Sequence, residues 1–213
     1  EVVCMTLKLE NKLNPLSKNI FPIALGIFLL FSPPIDPDLG WHLKYGEYMV
    51  QNKSFLRENI FSYTMPNYQW ANSYWVAQLV MYTLVSLGGP VLLSLGISFF
   101  VVGVTFFIFR ELELKESQII IGIIFLFFAL SFCAISVRPM AFSVIFLLLL
   151  IETLLYKEQN IKFLPLLFLV WANTHADFTL GLFILCVFNI QKLLQEKAQK
   201  ENIITHLASL VCV

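Results

Sequence analysis

The chain has 213 residues, 58% of them hydrophobic, with 21 phenylalanines and only 13% charged side chains. Soluble domains carry roughly 25% charged residues, so water is not the main solvent for this sequence, and an all-α, polytopic transmembrane bundle is expected. Fourteen Lys and Arg balance fourteen Asp and Glu, which removes the basic field that nucleic-acid binding needs.

Crossing a bilayer takes about 20 apolar residues, and the first stretch that approaches this is Ile20–Ile35. Pro33, Pro34 and Pro37 should end it, because proline lacks the N–H a helix interior requires. A second helix, Leu39–Asn52, follows; Trp41, Tyr45 and Tyr48 lie along one flank, which suits a helix on the membrane surface or packed on the bundle. Asn72–Gly88 is apolar but interrupted by Ser73, Gln78, Thr83 and Ser86, and leaves crossing, dipping and lying flat all open. The later spans are Pro90–Phe109, Gln118–Val137, Met140–Tyr156, Ile161–Asn173 and Thr179–Gln191, and a further run begins near Ile203. Residue 1 is Glu and the last four residues are apolar, so residues 1–213 read as a single membrane domain at the N-terminal side of a longer protein. Cys4, Cys133, Cys186 and Cys212 are too widely spaced to suggest a disulfide framework or a metal pair.

Cytoplasmic loops carry the Lys and Arg excess. With the N-terminus inside and Asn72–Gly88 not crossing, Lys8, Lys12, Lys18, Arg110, Lys115, Lys157, Lys162, Lys192, Lys197 and Lys200 fall inside, and only Lys44, Lys53, Arg57 and Arg138 outside. Letting Asn72–Gly88 cross with the same start inverts this bias and is dropped. A crossing segment with the N-terminus outside scores as well as the first arrangement, which is preferred because the three lysines before the first span usually fix orientation. Residues 36–89 then form a long external loop. Asp36, Asp38, His42, Arg138, His175 and Asp177 come out on the same external side, although the loops were sorted by Lys and Arg alone.

These residues are the candidates for chemistry. Asp38 either caps the helix after it by accepting backbone N–H bonds or acts, with Asp36 beside it, as a general base at the water boundary. His42 lies one turn from Asp38 on the same face. Two such ligands admit a divalent cation without specifying one, so no cofactor is fixed and no metal site is assigned. Tyr63 and Trp70 belong to an aromatic stretch, Phe61–Thr64 and Asn67–Trp70, that suits either a headgroup belt or the stacking of sugar rings, and Trp41 on the helix before it is a further substrate-binding candidate. Arg138, between two apolar segments, should meet a lipid phosphate, or else pair with headgroups or Asp177. His175 and Asp177, in the turn Trp171–Phe178, imply a water-filled recess or a hydrogen-bonded pair. No Gly-rich phosphate loop, HExxH or Gly-x-Ser-x-Gly occurs, which leaves nucleotide hydrolysis, zinc proteolysis and serine hydrolysis without support.

Three motifs, Asp36 to His42, Arg138-Pro139 and Trp171-Ala172-Asn173-Thr174-His175, resemble those of bacterial multi-pass proteins of the GT-C glycosyltransferase superfamily, and the resemblance covers nearly the whole chain. It implies an inverting transferase of the bacterial cytoplasmic membrane, working on its external face. The donor would be a polyprenyl-phosphate-linked sugar, the acceptor a glycan, lipid or protein, with membrane lipid as surroundings. It also implies surface helices in the first external loop and a catalytic base at Asp38. On the enzyme reading of this sequence, His42, Arg138, His175, Asp177, Trp41, Tyr63 and Trp70 would bind substrate. Relatives commonly have Gly-Gly where this chain has Ala176-Asp177, and an acidic residue where it has Tyr74, so the role of Asp177 rests on this sequence alone. The competing functions are a transporter or flippase for an anionic lipid or solute, and a non-catalytic lipid-binding scaffold. Transporters tend to place polar groups on broken helices at mid-membrane and to show internal repeats, whereas here the polar clusters sit at helix ends and no repeat is visible.

Overall fold

The structure is a computed structural model that describes residues 15–31, 36–61, 63–65, 68–69, 72–132 and 137–194. It is all-helical, with no strand among the described residues. The helices are α1 (Pro15–Leu30), α2 (Leu39–Asn52), α3 (Trp75–Glu111), α4 (Glu116–Phe132), α5 (Met140–Leu155), α6 (Leu164–Ala172) and α7 (Phe178–Leu194), with a 3₁₀ turn at Glu158–Phe163 before α6. The expected run near Ile203 lies outside the described residues.

One helix, α3, is long and apolar enough to cross a membrane. It is really two helices joined at a break, where Gly88 and Gly89 leave helical geometry and Gly89 takes φ +72°. Only glycine enters that region without strain, and Pro90, lacking an N–H, starts the second helix cleanly. The part before the break is roughly 20 Å long and the part after it roughly 33 Å at 1.5 Å per residue. Only the second reaches the roughly 30 Å of a bilayer core. From Trp75 to Phe109 there is no charged residue, and Arg110 and Glu111 end the run.

The chain divides into two compact units. One holds α1, the end of α3 from Leu95 and α4, with Val101, Val102, Ile108, Ile119 and Ile123 fully buried. The other comprises residues 33–94 and 136–213 and contains every candidate site residue. Its core is Leu150 and Leu154 of α5, Ile161, Leu164, Phe168 and Trp171 of the 3₁₀ turn and α6, and Leu185 of α7. Trp171 stacks on Phe146 and Phe168 at centroid distances of 5.7 and 5.8 Å, and its buried N–H donates to Ser143 Oγ at 3.0 Å. A large indole is thereby both packed and satisfied, which fixes the α6–α7 turn beginning just after it.

In the same unit α2 lies directly on the first turns of α3. The contact runs through Gly46: a Cβ there would stand 2.4 Å from the Gln78 carbonyl oxygen and 2.6 Å from Tyr82 Cβ. Backbone cannot yield as a side-chain tip can, so Gly46→Ala must push the helices apart. It is expected to cost about 1–3 kcal/mol, read as a lowered unfolding midpoint in detergent; an unchanged midpoint would mean that the close approach does not hold the two helices together.

Candidate functional site

The site is built from the N-terminal end of α2, the first turns of α3, the Arg138-Pro139 turn before α5 and the α6–α7 turn. Asp38, Trp41, His42, Tyr45, Tyr74, Gln78, Arg138, Pro139 and His175 line one cavity of 320 Å³, within the roughly 300–1,000 Å³ range of small-molecule sites. Five residues singled out in the sequence, Asp38, Trp41, His42, Arg138 and His175, thus share one recess although 137 positions separate the first from the last.

The two aspartates part company here. Asp36 turns inward, its side chain 1% exposed, and pairs with Arg138 Nε. Its other oxygen accepts the Asp38 N–H at 2.7 Å, a side-chain-to-backbone turn two residues long that sets up the start of α2. Asp38 occupies the N-cap position of α2 but its carboxylate makes no capping hydrogen bond, so the capping expected of it is not realised. It is exposed and faces the cavity. Of the two carboxylates, only Asp38 is placed to meet a ligand. Arg138 is anchored by Asp36 rather than by Asp177, and 37% of its side chain is exposed at the cavity. A guanidinium held from one side by a buried carboxylate is kept in place without being withdrawn from an incoming anion.

The imidazoles of His42 and His175 flank Tyr74, with ring centroids 5.8 and 5.5 Å from it. His42 Nδ1 lies 3.5 Å from Gln78 Nε2, and the buried Gln78 accepts from Asn72 Nδ2 at 2.6 Å. His175 Nδ1 is approached by Ser143 Oγ at 3.2 Å, by the Asp177 N–H at 3.3 Å and by Asp177 Oδ2 at 2.9 Å. The amide N–H requires a bare Nδ1, whereas the carboxylate requires Nδ1–H. One atom cannot satisfy both at once, so proton placement on the ring chooses between the Asp177 backbone and its side chain.

Burial lowers the pKa of both imidazoles below 6.5; for His42 the carboxylates of Asp38 and Asp36 oppose this, while His175 and Arg138 add to it, and for His175 it is Asp177 that opposes. Burial therefore favours the neutral form of both rings. The sign for stability follows: as pH falls below about 6.5 the unfolded chain takes up protons that the folded chain refuses until its lowered values are reached, so stability drops on acidification. The unfolding midpoint in detergent should fall as the pH drops below about 6.5, with a shallower fall in His42→Gln and His175→Gln. An equally steep fall in both variants would remove the imidazoles from the explanation.

The α6–α7 turn is locked to α3. Asn173 accepts the Trp75 indole N–H at 2.7 Å on its side chain and the Val76 N–H at 3.0 Å on its backbone carbonyl. The second bond satisfies an amide in the first turn of α3, which has no partner within its own helix.

Trp41 lines the cavity and meets Phe61 edge-on at 6.1 Å. Tyr63 does not: it is 94% exposed and outside the lining. Asp177 reaches the cavity only through His175, and Trp70 lies outside the described residues. Tyr74, Gln78 and Ser143 were not singled out by the sequence as site residues; Gln78, a polar residue in an apolar run, carried the one signal that could have found it. Among the described residues no group of three His, Cys, Asp or Glu side chains is placed to hold a metal ion.

No known protein family, curated protein or solved structure matches the chain.

Proposed function

We propose that the chain is the polytopic membrane domain of a glycosyltransferase that uses a polyprenyl-phosphate-linked sugar at the external face of a bacterial cytoplasmic membrane. The observation that carries this reading is the 320 Å³ cavity in which an exposed carboxylate, Asp38, faces the same space as an anchored guanidinium, Arg138. Those are the two charges the reaction needs. Asp38 takes the proton from an acceptor hydroxyl as its oxygen bonds to the anomeric carbon. The bond from that carbon to the phosphate oxygen breaks, and Arg138 meets the charge gathering on the leaving polyprenyl phosphate. Trp41, His42, Tyr74 and His175 shape the recess, and Asp36 positions Arg138 rather than reacting.

The membrane setting is supported by side chains such as Phe28, Phe99, Phe125 and Phe183, which are 63–79% exposed on their helices. Exposed large apolar surface of this kind marks contact with lipid or a partner. α4, α5 and α7, at 16 or 17 residues, fall at the short end of spanning length and fit a tilted or locally thinned bilayer arrangement. The break at Gly88 and Gly89 favours the transporter reading, since transporters build sites on broken helices; the cavity, however, is lined by helix ends and not by that break.

Two experiments test the reading. In proteoliposomes supplied with bacterial envelope lipids and glycans as acceptors, label from a radiolabelled polyprenyl-phosphate sugar should pass to an acceptor with stoichiometric release of polyprenyl phosphate, and transfer no faster than in protein-free vesicles would sink it. In intact cells an impermeant thiol reagent should label Asp38→Cys and Asp177→Cys in a chain without its four native cysteines, both positions being accessible in the structure; labelling only after lysis would place the site on the wrong side.

A further inference from the structure

Beside the first cavity lies a second, of 680 Å³, whose lining includes Phe55, Arg57, Gln69, Asn72, Trp75 and Asn173. We propose that this second cavity binds a sugar ring bearing a carboxylate or phosphate, as the acceptor; the acceptor role rests on the transferase reading above, while the binding does not.

Three features of the lining point to that ligand. Phe55 and Trp75 meet edge to face at 5.3 Å, and Phe55 is 56% exposed, so aromatic surface is presented to the cavity where the C–H face of a pyranose can lie. Two carboxamides are held rigidly. Asn72 donates to Gln78 and accepts the Tyr74 N–H at 3.1 Å, while Asn173 accepts from Trp75 and donates to the Leu169 carbonyl at 2.7 Å. An amide side chain has two N–H donors and two acceptor lone pairs, so each retains a donor and an acceptor, the pair that reads a hydroxyl. Arg57 is the single charged residue of the lining, and it forms no ion pair among the described residues, the exposed Glu58 next to it in the chain included. A planar guanidinium in that setting selects a carboxylate or phosphate.

The two cavities share structure. Asn72 lines the second and bonds Gln78, which lines the first and approaches His42. Asn173 lines the second and His175 the first, two residues apart in one turn. An acceptor seated in the second cavity is therefore held by the groups that also form the wall of the reaction cavity.

Titration calorimetry on the full chain in nanodiscs tests this with tetragalacturonate, mannose 6-phosphate and neutral cellotetraose. At least one acidic sugar should bind, cellotetraose should bind at least about tenfold more weakly, and Arg57→Gln should weaken the acidic sugar about tenfold while leaving cellotetraose unchanged. Arg57 is exposed, so that variant should fold. Tetragalacturonate alone binding identifies a uronate-bearing acceptor, and mannose 6-phosphate alone a phosphorylated one. Binding of none of the three, equal binding of acidic and neutral sugars, or an Arg57→Gln variant that binds as the parent does overturns the proposal. Acidic-sugar binding through Arg57 without any donor consumption would keep the site and discard the transferase; donor consumption without such binding would do the reverse.

Discussion

Arg138→Met is expected to destabilise the folded chain by about 3–5 kcal/mol, the largest loss of stability at any site residue. The reason is an asymmetry of burial. The Asp36 side chain is 1% exposed and that of Arg138 is 37% exposed, so removing the guanidinium strips a buried carboxylate of its cation, whereas removing the carboxylate leaves a cation that water still reaches. Asp36→Asn should accordingly cost less, about 1–3 kcal/mol, and the double variant should recover part of the Arg138→Met loss because the stranded charge is gone. Unfolding midpoints in detergent for the three variants close the cycle. Equal losses from the two single variants would show that burial does not govern this pair.

That pairing was not legible in the sequence, and its physical basis shows why. Asp36 and Arg138 are 102 positions apart, and no local pattern links them. Arg138 stood out because it interrupts apolar sequence, and a lipid phosphate was expected to meet it, with headgroups or Asp177 as the alternative, whereas Asp177 belongs to His175. The competition between Asp36 and Asp38 was equally hidden. Both are good helix-start residues, and the outcome turns on Asp36 reaching the Asp38 N–H while its other oxygen holds Arg138. A tertiary contact thus decided a local choice.

What was legible followed from uniform composition. Met140–Leu155 forms within one residue of the expected Met140–Tyr156, because an unbroken apolar run offers no alternative boundary. Ile161–Asn173 was read as one span, yet it divides into a 3₁₀ turn and a nine-residue helix. Pro165 sits in the first turn of α6, where its missing N–H costs nothing, and the polar Gln159, Asn160 and Lys162 fall in the 3₁₀ turn before it. The Asn72–Gly88 segment ends at the break its own Gly-Gly-Pro sequence encodes, which makes the helix before the break too short to cross a bilayer alone. Gln78 was read as a flaw in that segment, but it is the buried residue through which α3 approaches His42 of α2. A polar side chain inside an apolar run is costly unless satisfied, so it marked a contact, though not which one.

On the transferase reading proposed above, Asp38→Asn is expected to reduce transfer by about 10²–10⁴-fold, the usual worth of a general base, while changing stability by less than about 0.5 kcal/mol. Both halves come from the same geometry. The carboxylate faces the cavity, is exposed and makes no capping bond to α2, so an amide of the same shape leaves the fold undisturbed. That amide has lost its charge and cannot accept the hydroxyl proton. The comparison with Asp36→Asn then separates two carboxylates only two residues apart: at position 36 stability falls and transfer falls with the displacement of Arg138, while at position 38 transfer falls alone. Rates would be measured under single-turnover conditions with donor in excess of its dissociation constant, so that the chemical step is read rather than binding. An Asp38→Asn rate within about threefold of the parent, a difference of roughly 0.6 kcal/mol in the barrier, would rule out Asp38 as the base.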